Sequence, residues 1–130
     1  MPKDVKILLV DDQPDFIETI SFWMKTRGYQ VVSAGDGPGA LEALKKNPVD
    51  IIFTDFKMPG MNGIELIKKI RESDKMIPAV LVTAHADDAI LHGTQSLNIS
   101  GFFSKMGDFK DLEHVLDVVL RNVERTKDKK

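Results

Sequence analysis

Val49-Asp-Ile-Ile-Phe-Thr-Asp55-Phe-Lys-Met-Pro-Gly-Met-Asn-Gly63 is the stretch that decides how this chain folds. After Asp50 the run shows no polar alternation before Thr54, which is the pattern of a strand buried on both faces, as in a parallel sheet covered by helices. The proline, glycine and asparagine that follow mark a turn, so Asp55 places a carboxylate at the carboxyl end of a central strand. A second apolar run, Val5-Lys-Ile-Leu-Leu-Val10, ends in the same way at Asp11-Asp12. If the two runs are neighbouring parallel strands, three carboxylates converge on one crevice, which is where open α/β sheets bind ligands. Lys105, at the end of a third short run, offers the cation that such a cluster needs.

Around these runs, short apolar segments alternate with longer segments of helical period, roughly five times over. The first strand, near 5–10, leads into a helix announced by Asp12 and Gln13 ahead of Pro14, since proline is tolerated at the first helical position. Phe16, Ile17, Ile20, Trp23 and Met24 form its apolar stripe, and Gly28 ends it. Residues 29–33 are the second strand, followed by a helix whose apolar face is Ala40, Leu41, Ala43 and Leu44, closed by Asn47-Pro48. The central strand covers 49–54. Asn62 precedes a third helix carrying Leu66, Ile67 and Ile70, and residues 78–82 make a fourth strand ending at Thr83. A further helix near 86–97 is weakened by Gly93 and Thr94, both poor helix formers.

Phe102 and Phe103 mark the last strand, and Asp108 and Asp111 cap a final helix built on Leu112, Val115, Leu116, Val119, Leu120 and Val123. Its charged end, from Glu124 to Lys130, is expected to fray. The fold class that follows is α/β, a doubly wound, flavodoxin-like sandwich with a five-stranded parallel sheet of order 2-1-3-4-5 and five helices on its two faces. That order rests on the preferences of right-handed crossovers, not on periodicity. Residues 1–126 are expected to form the domain, and 127–130 a charged tail or linker end.

The 130 residues, 42% of them hydrophobic, suffice for one domain with a real core. With 18 basic and 20 acidic residues and a net charge of −2, nothing points to direct binding of nucleic acid. The absence of cysteine excludes disulfides, thiolate nucleophiles and thiolate metal sites together. The amino terminus has no signal-peptide pattern, and no run reaches the ~18 apolar residues of a membrane span. A soluble, cytoplasmic chain with no membrane partner is expected. His85, His92 and His114 lack metal-ligand spacing, and the last two are read as surface or loop residues.

Crowded carboxylates either take up protons or hold a hard divalent cation. Oxygen donors without histidine or cysteine favour Mg²⁺, which keeps waters and combines carboxylates with a phosphate. A phosphoryl group is therefore the natural guest, with Asp55 as attacking oxygen, Asp12 with the metal, and Thr83 and Lys105 around the equatorial oxygens. Each residue taken alone has an ordinary reading: Asp12 as a helix cap, Asp11 and Asp55 as turn carboxylates, Thr83 as a strand-end hydroxyl, Lys105 as a solvated charge. Their shared placement at strand carboxyl ends is what sets them apart.

Asp11-Asp12, then Asp55 with Met58-Pro59-Gly60, then Thr83-Ala84, then Lys105 resemble, in order and spacing over essentially the whole chain, the receiver domain of two-component response regulators. The resemblance implies that Asp55 accepts a phosphoryl group from a phosphohistidine of a sensor histidine kinase or phosphotransfer protein. It implies that Mg²⁺ is held by Asp12 and Asp55, by Asp11 through water and by the Lys57 backbone carbonyl. It further implies that Thr83 and Lys105 hold the phosphoryl oxygens, and that Phe102 is the switch aromatic. The response would alter the surface around the helix near 86–97, the last strand and the last helix, toward an output domain or target the sequence does not name. The domain would not be an enzyme in the ordinary sense, though it assists its own phosphorylation and dephosphorylation.

Two departures from the family pattern stand out, beside two positions at which the family varies. Lys105 is followed by Met106 where the family usually has proline, often in a cis bond, and a non-proline cis bond costs about 3 kcal/mol. Asn98-Ile99 replaces glycine-alanine, and asparagine tolerates the left-handed conformation expected there. Lys57 and His85, each two residues beyond a site residue, are candidates for tuning phosphoryl lifetime. The rival readings are a pseudo-receiver that only docks, a flavodoxin-like binding module, and a phosphatase of the haloacid-dehalogenase type. The last would need an acid two residues after Asp11, where Gln13 stands.

Overall fold

Apolar runs too short for helices become strands, and each side chain along them points to the face opposite its neighbour. The computed structural model describes residues 5–83, 97–105 and 107–128. Its strands are β1 (Lys6–Val10), β2 (Gln30–Ala34), β3 (Ile51–Asp55), β4 (Ala79–Thr83) and β5 (Gly101–Ser104). Its helices are α1 (Pro14–Thr26), α2 (Gly37–Lys46), α3 (Gly63–Ser73) and α4 (Phe109–Asp128). All strand pairs are parallel, in the order β2-β1-β3-β4-β5. Four helices are therefore present among the described residues where five were expected, because the expected helix near 86–97 lies, except for Leu97, outside them.

Alternation along the strands divides the core. Ile7, Leu9, Ile51, Phe53, Val80 and Val82 face α1 and α4, where Ile20, Trp23, Met24, Leu112 and Leu116 meet them. Leu8, Val10 and Ile52 face the opposite layer, with Ala40 of α2 and Leu66 and Ile70 of α3. β3 is buried along its whole length because β1 and β4 flank it and helices cover both faces. β2 lies at the edge and is only partly covered.

Boundaries shift by one or two residues from the sequence reading. β3 starts at Ile51 because Asp50 is used as a brace: its carboxylate accepts from the Lys6 N–H at 2.9 Å, and its own N–H donates to the Lys6 carbonyl at 2.8 Å. At the other end, Asp55 pairs with Val82 and is the last residue of the strand, not the first of the turn. Asn62 and Glu65 form a reciprocal capping box at α3, each side chain accepting from the other's backbone N–H at 2.9 Å. Asp108 and Asp111 do the same ahead of α4. Helix α4 continues to Asp128, beyond the fray expected from Glu124. Asn98 takes the left-handed conformation, with φ 57.

Candidate functional site

Three strand ends and one loop build the site. Asp11 follows β1, Asp55 ends β3, Thr83 ends β4, and Lys105 follows β5. Pairing fixes their relative height: Val10 lies beside Thr54, Asp55 beside Val82, and Thr83 beside Ser104. The Lys105 N–H donates to the Thr83 carbonyl at 2.9 Å, so the turn after β5 starts in register with the end of β4.

Carboxylate oxygens of Asp11, Asp12 and Asp55 lie within 4.8 Å of one another. Asp11 is fully buried and Asp55 is 4% exposed, whereas Asp12 is exposed. Lys105 Nζ stands 2.8 Å from Asp11 Oδ2 and 3.1 Å from Asp55 Oδ2. It also donates to Gln13 Oε1 at 2.8 Å and lies 4.8 Å from the centre of the Phe16 ring. Asp11 Oδ1 accepts from the Gln13 N–H at 2.8 Å, while Asp11 Oδ2 meets the ammonium as an ion pair and accepts no hydrogen bond among the described residues.

Burial pushes the Asp55 carboxyl above the ordinary carboxylate range, and the negative charge of Asp11 adds to the rise. Hydrogen bonds from Lys105 and from the Lys57 backbone N–H oppose it without cancelling it. For Lys105, burial alone would favour the neutral amine, but its interactions with the Asp11 and Asp55 carboxylates together reverse that and leave its pKa raised. Among the described residues, three carboxylates therefore share one buried cation, Lys105. Three hard oxygen donors, one with an under-used buried oxygen, fit a small divalent cation.

The turn after β3 is folded back on the site. The Gly63 N–H donates to the Phe56 carbonyl at 2.8 Å, and a Cβ on Gly63 would collide with the Asp55 carbonyl oxygen. That oxygen also accepts from Thr54 Oγ1 at 3.1 Å. Helix α3 therefore starts in contact with the backbone of Asp55.

Of the residues singled out from the sequence, Asp11, Asp12, Asp55 and Lys105 come together, with Thr83 buried at the neighbouring strand end. Phe102 is half-buried in the cluster of Ile67, Leu81 and Leu97, on the sheet face opposite Phe103. Lys57 has an exposed side chain. His85 and Met106 lie outside the described residues, and so does the path of the Lys105-Met106 peptide. Gln13, Phe16 and Gly63 were not singled out for the site. Gln13 had been read as a helix-start signal, and it is the N-cap residue of α1, but its side chain makes no capping bond and turns to Lys105 instead.

A family model for the response regulator receiver domain matches residues 7–117. The chain belongs to the response regulator receiver domain family. This receiver domain is 32% identical over 125 residues to chemotaxis protein CheY-3 of Vibrio cholerae, covering 93% of this chain and 95% of that protein. It is 31% identical over 107 residues to sporulation initiation phosphotransferase F of Bacillus subtilis, covering 82% and 86%. A stretch of 83 residues, 64% of this chain, is 41% identical to the sensor histidine kinase RcsC of Salmonella typhimurium, but spans only 9% of that protein. Among solved structures, the chemotaxis protein CheY4 of Vibrio cholerae superposes with a TM-score of 0.85 at 28% identity, over 88% of this receiver domain and 98% of that chain. The fold is thus shared with that chemotaxis protein. Among the described residues, no helix is long and apolar enough to cross a membrane.

Proposed function

We propose that Asp55 is the phosphoacceptor of this receiver domain and that its partner is a phosphohistidine on a sensor kinase or phosphotransfer protein. The observation that carries the reading is the meeting of Lys105 with both Asp11 and Asp55 at the carboxyl edge of the sheet, in a chain of the receiver family. An Asp55 oxygen attacks phosphorus, the phosphorus bond to the imidazole nitrogen of the partner breaks, and the electron pair leaves with that nitrogen. The product is a mixed anhydride on Asp55, which adds negative charge and acceptor oxygens where Lys105 already stands.

Mg²⁺ is the ion this oxygen set suits; Asp12, Asp55 and the Lys57 carbonyl would hold it directly, and Asp11 through water. When bound, it neutralises the carboxylates and the charge developing on the phosphoryl oxygens. Lys105 and the Thr83 hydroxyl serve the remaining phosphoryl oxygens. Thr83 then couples the event to Phe102, half-buried on β5 against Leu81 and Leu97, and the surface beside β5 changes for an output domain or target. Lys57 and His85 tune the lifetime of the phosphoryl group. The domain works in the cytoplasm and assists its own phosphorylation and dephosphorylation.

Intact-mass measurement after incubation with Mg²⁺ and acetyl phosphate tests the reading. Wild type gains one phosphoryl group and Asp55→Asn gains none. Labelling at Asp11 would instead favour the phosphatase reading, and no labelling at all the docking-only one.

A further inference from the structure

Lys105 Nζ donates two side-chain hydrogen bonds, to Asp55 Oδ2 at 3.1 Å and to Gln13 Oε1 at 2.8 Å, and pairs as an ion with Asp11 Oδ2 at 2.8 Å. The two carboxylates belong to the acidic cluster itself. The third partner is a neutral amide from the start of α1, and its placement is not incidental to the local fold. Gln13 occupies the N-cap position, where a side chain commonly accepts from the first helical N–H groups, yet its oxygen is directed away from the helix. Its backbone N–H is bound to Asp11 Oδ1 at 2.8 Å, so the residue that holds the lysine is itself fixed to the carboxylate the lysine pairs with.

Lys105 also borders a groove of about 480 Å³ between α1 and the turn leading to α4, which Phe16 lines as well. The Phe16 ring lies 4.8 Å from Nζ, so the ammonium is held between the carboxylates, Gln13 Oε1 and that ring.

We propose that Gln13 is a positioning residue for phosphoryl chemistry at Asp55: its side-chain oxygen accepts a hydrogen bond from Lys105 and keeps the ammonium between Asp11 and Asp55. The inference rests on Asp55 being the phosphoacceptor. In the reaction with acetyl phosphate, an Asp55 oxygen forms a bond to phosphorus, and the bond from phosphorus to the acetyl oxygen breaks, with acetate leaving with the electron pair. The negative charge on the three peripheral phosphoryl oxygens then meets a cation already in place, so no reorganisation is needed at that moment.

The test uses the full chain and two substitutions. Gln13→Met keeps the length and removes the strong acceptor, and Gln13→Glu keeps an acceptor oxygen at the same reach. Two readouts are taken: the rate of phosphorylation by acetyl phosphate in Mg²⁺, by intact mass, and the ¹⁵N ammonium signal of Lys105 in metal-free buffer. Wild type and Gln13→Glu show a Lys105 ammonium protected from exchange, and Gln13→Met loses it. Gln13→Met is phosphorylated about tenfold more slowly, as expected for the loss of one charge-assisted hydrogen bond, with its Mg²⁺ affinity and melting temperature unchanged. A rate in Gln13→Met within twofold of wild type overturns the proposal, as does survival of the protected ammonium in that variant. A slowing matched by lost Mg²⁺ binding or lower melting also overturns it, since it marks a structural role only. If wild type itself takes no phosphoryl group, it is the phosphoacceptor reading that fails, and the proposal falls with it.

Discussion

Lys105 ends its side chain 2.8 Å from a carboxylate oxygen of Asp11, a residue with no surface exposed to solvent, and is itself only 14% exposed there. An ion pair so enclosed is costly to break, because removing one partner leaves the other charged, buried and without compensation. Lys105→Met is expected to lower the unfolding free energy by about 3 kcal/mol in the presence of EDTA. Saturating Mg²⁺ should restore much of the loss, by supplying positive charge to the same carboxylates. Urea unfolding with and without the metal measures both, and equal losses under the two conditions would show that the lysine and the metal do not serve the same charges.

Asp55 gives a pH dependence of defined sign. Burial raises its pKa in the fold, so above that pKa the ionised carboxylate destabilises the domain, and the penalty is relieved as pH falls through it. In metal-free buffer at neutral pH, Asp55→Asn should therefore melt at a higher temperature than wild type. The gap should narrow on acidification, as the protonated Asp55 comes to resemble the amide. A gap that widens toward low pH would contradict the assignment.

Gly63 tests the contact between α3 and the acceptor strand. Because a Cβ there collides with the Asp55 carbonyl, Gly63→Ala should cost about 1–3 kcal/mol and also slow phosphorylation, by displacing the backbone that carries Asp55. Gly28 is the comparison, with φ 97 and open space around its Cα. Gly28→Ala should lose about 1 kcal/mol through backbone strain, and leave the rate of phosphorylation as it was.

Arg71 holds the approach to β5. Its guanidinium donates to the Leu97 carbonyl at 2.8 Å and the Asn98 carbonyl at 3.2 Å, just ahead of Ser100, whose N–H bonds to the Ala79 carbonyl. Arg71→Ala should cost about 1–2 kcal/mol and speed hydrogen exchange at Ser100 and Gly101 more than in β1. Uniform acceleration across the sheet would mean that the effect is global.

A phosphoryl mimic in Mg²⁺ should shift amide signals from Thr83 through β5, with Phe102 among them. Changes confined to residues 52–60 would rule out the relay to Phe102.

Much of the fold and most of the site could be read from local pattern. The buried run ending at Asp55, its counterpart ending at Asp11 and the helical periods between them follow from side-chain alternation and from turn chemistry, which act over a few neighbouring residues. Asn62 and the Asp108–Asp111 pair were legible for the same reason, since a capping box lies within four positions. Asp50 was not, because its role as a brace is played against Lys6, on another strand.

The sequence by itself determined which residues could carry the chemistry: acidic side chains at two strand ends, a hydroxyl at a third and a lysine after the last. Tertiary structure alone decided how they are held. Gln13 and Lys105 are 92 positions apart, and only the parallel packing of β1, β3, β4 and β5 brings the start of α1 against the turn after β5. Gly63 looked like a turn residue until the return of the chain onto Asp55 gave it no room for a side chain. Contacts of this kind depend on distances set by the whole sheet, and a one-dimensional pattern records residue type and spacing but not those distances.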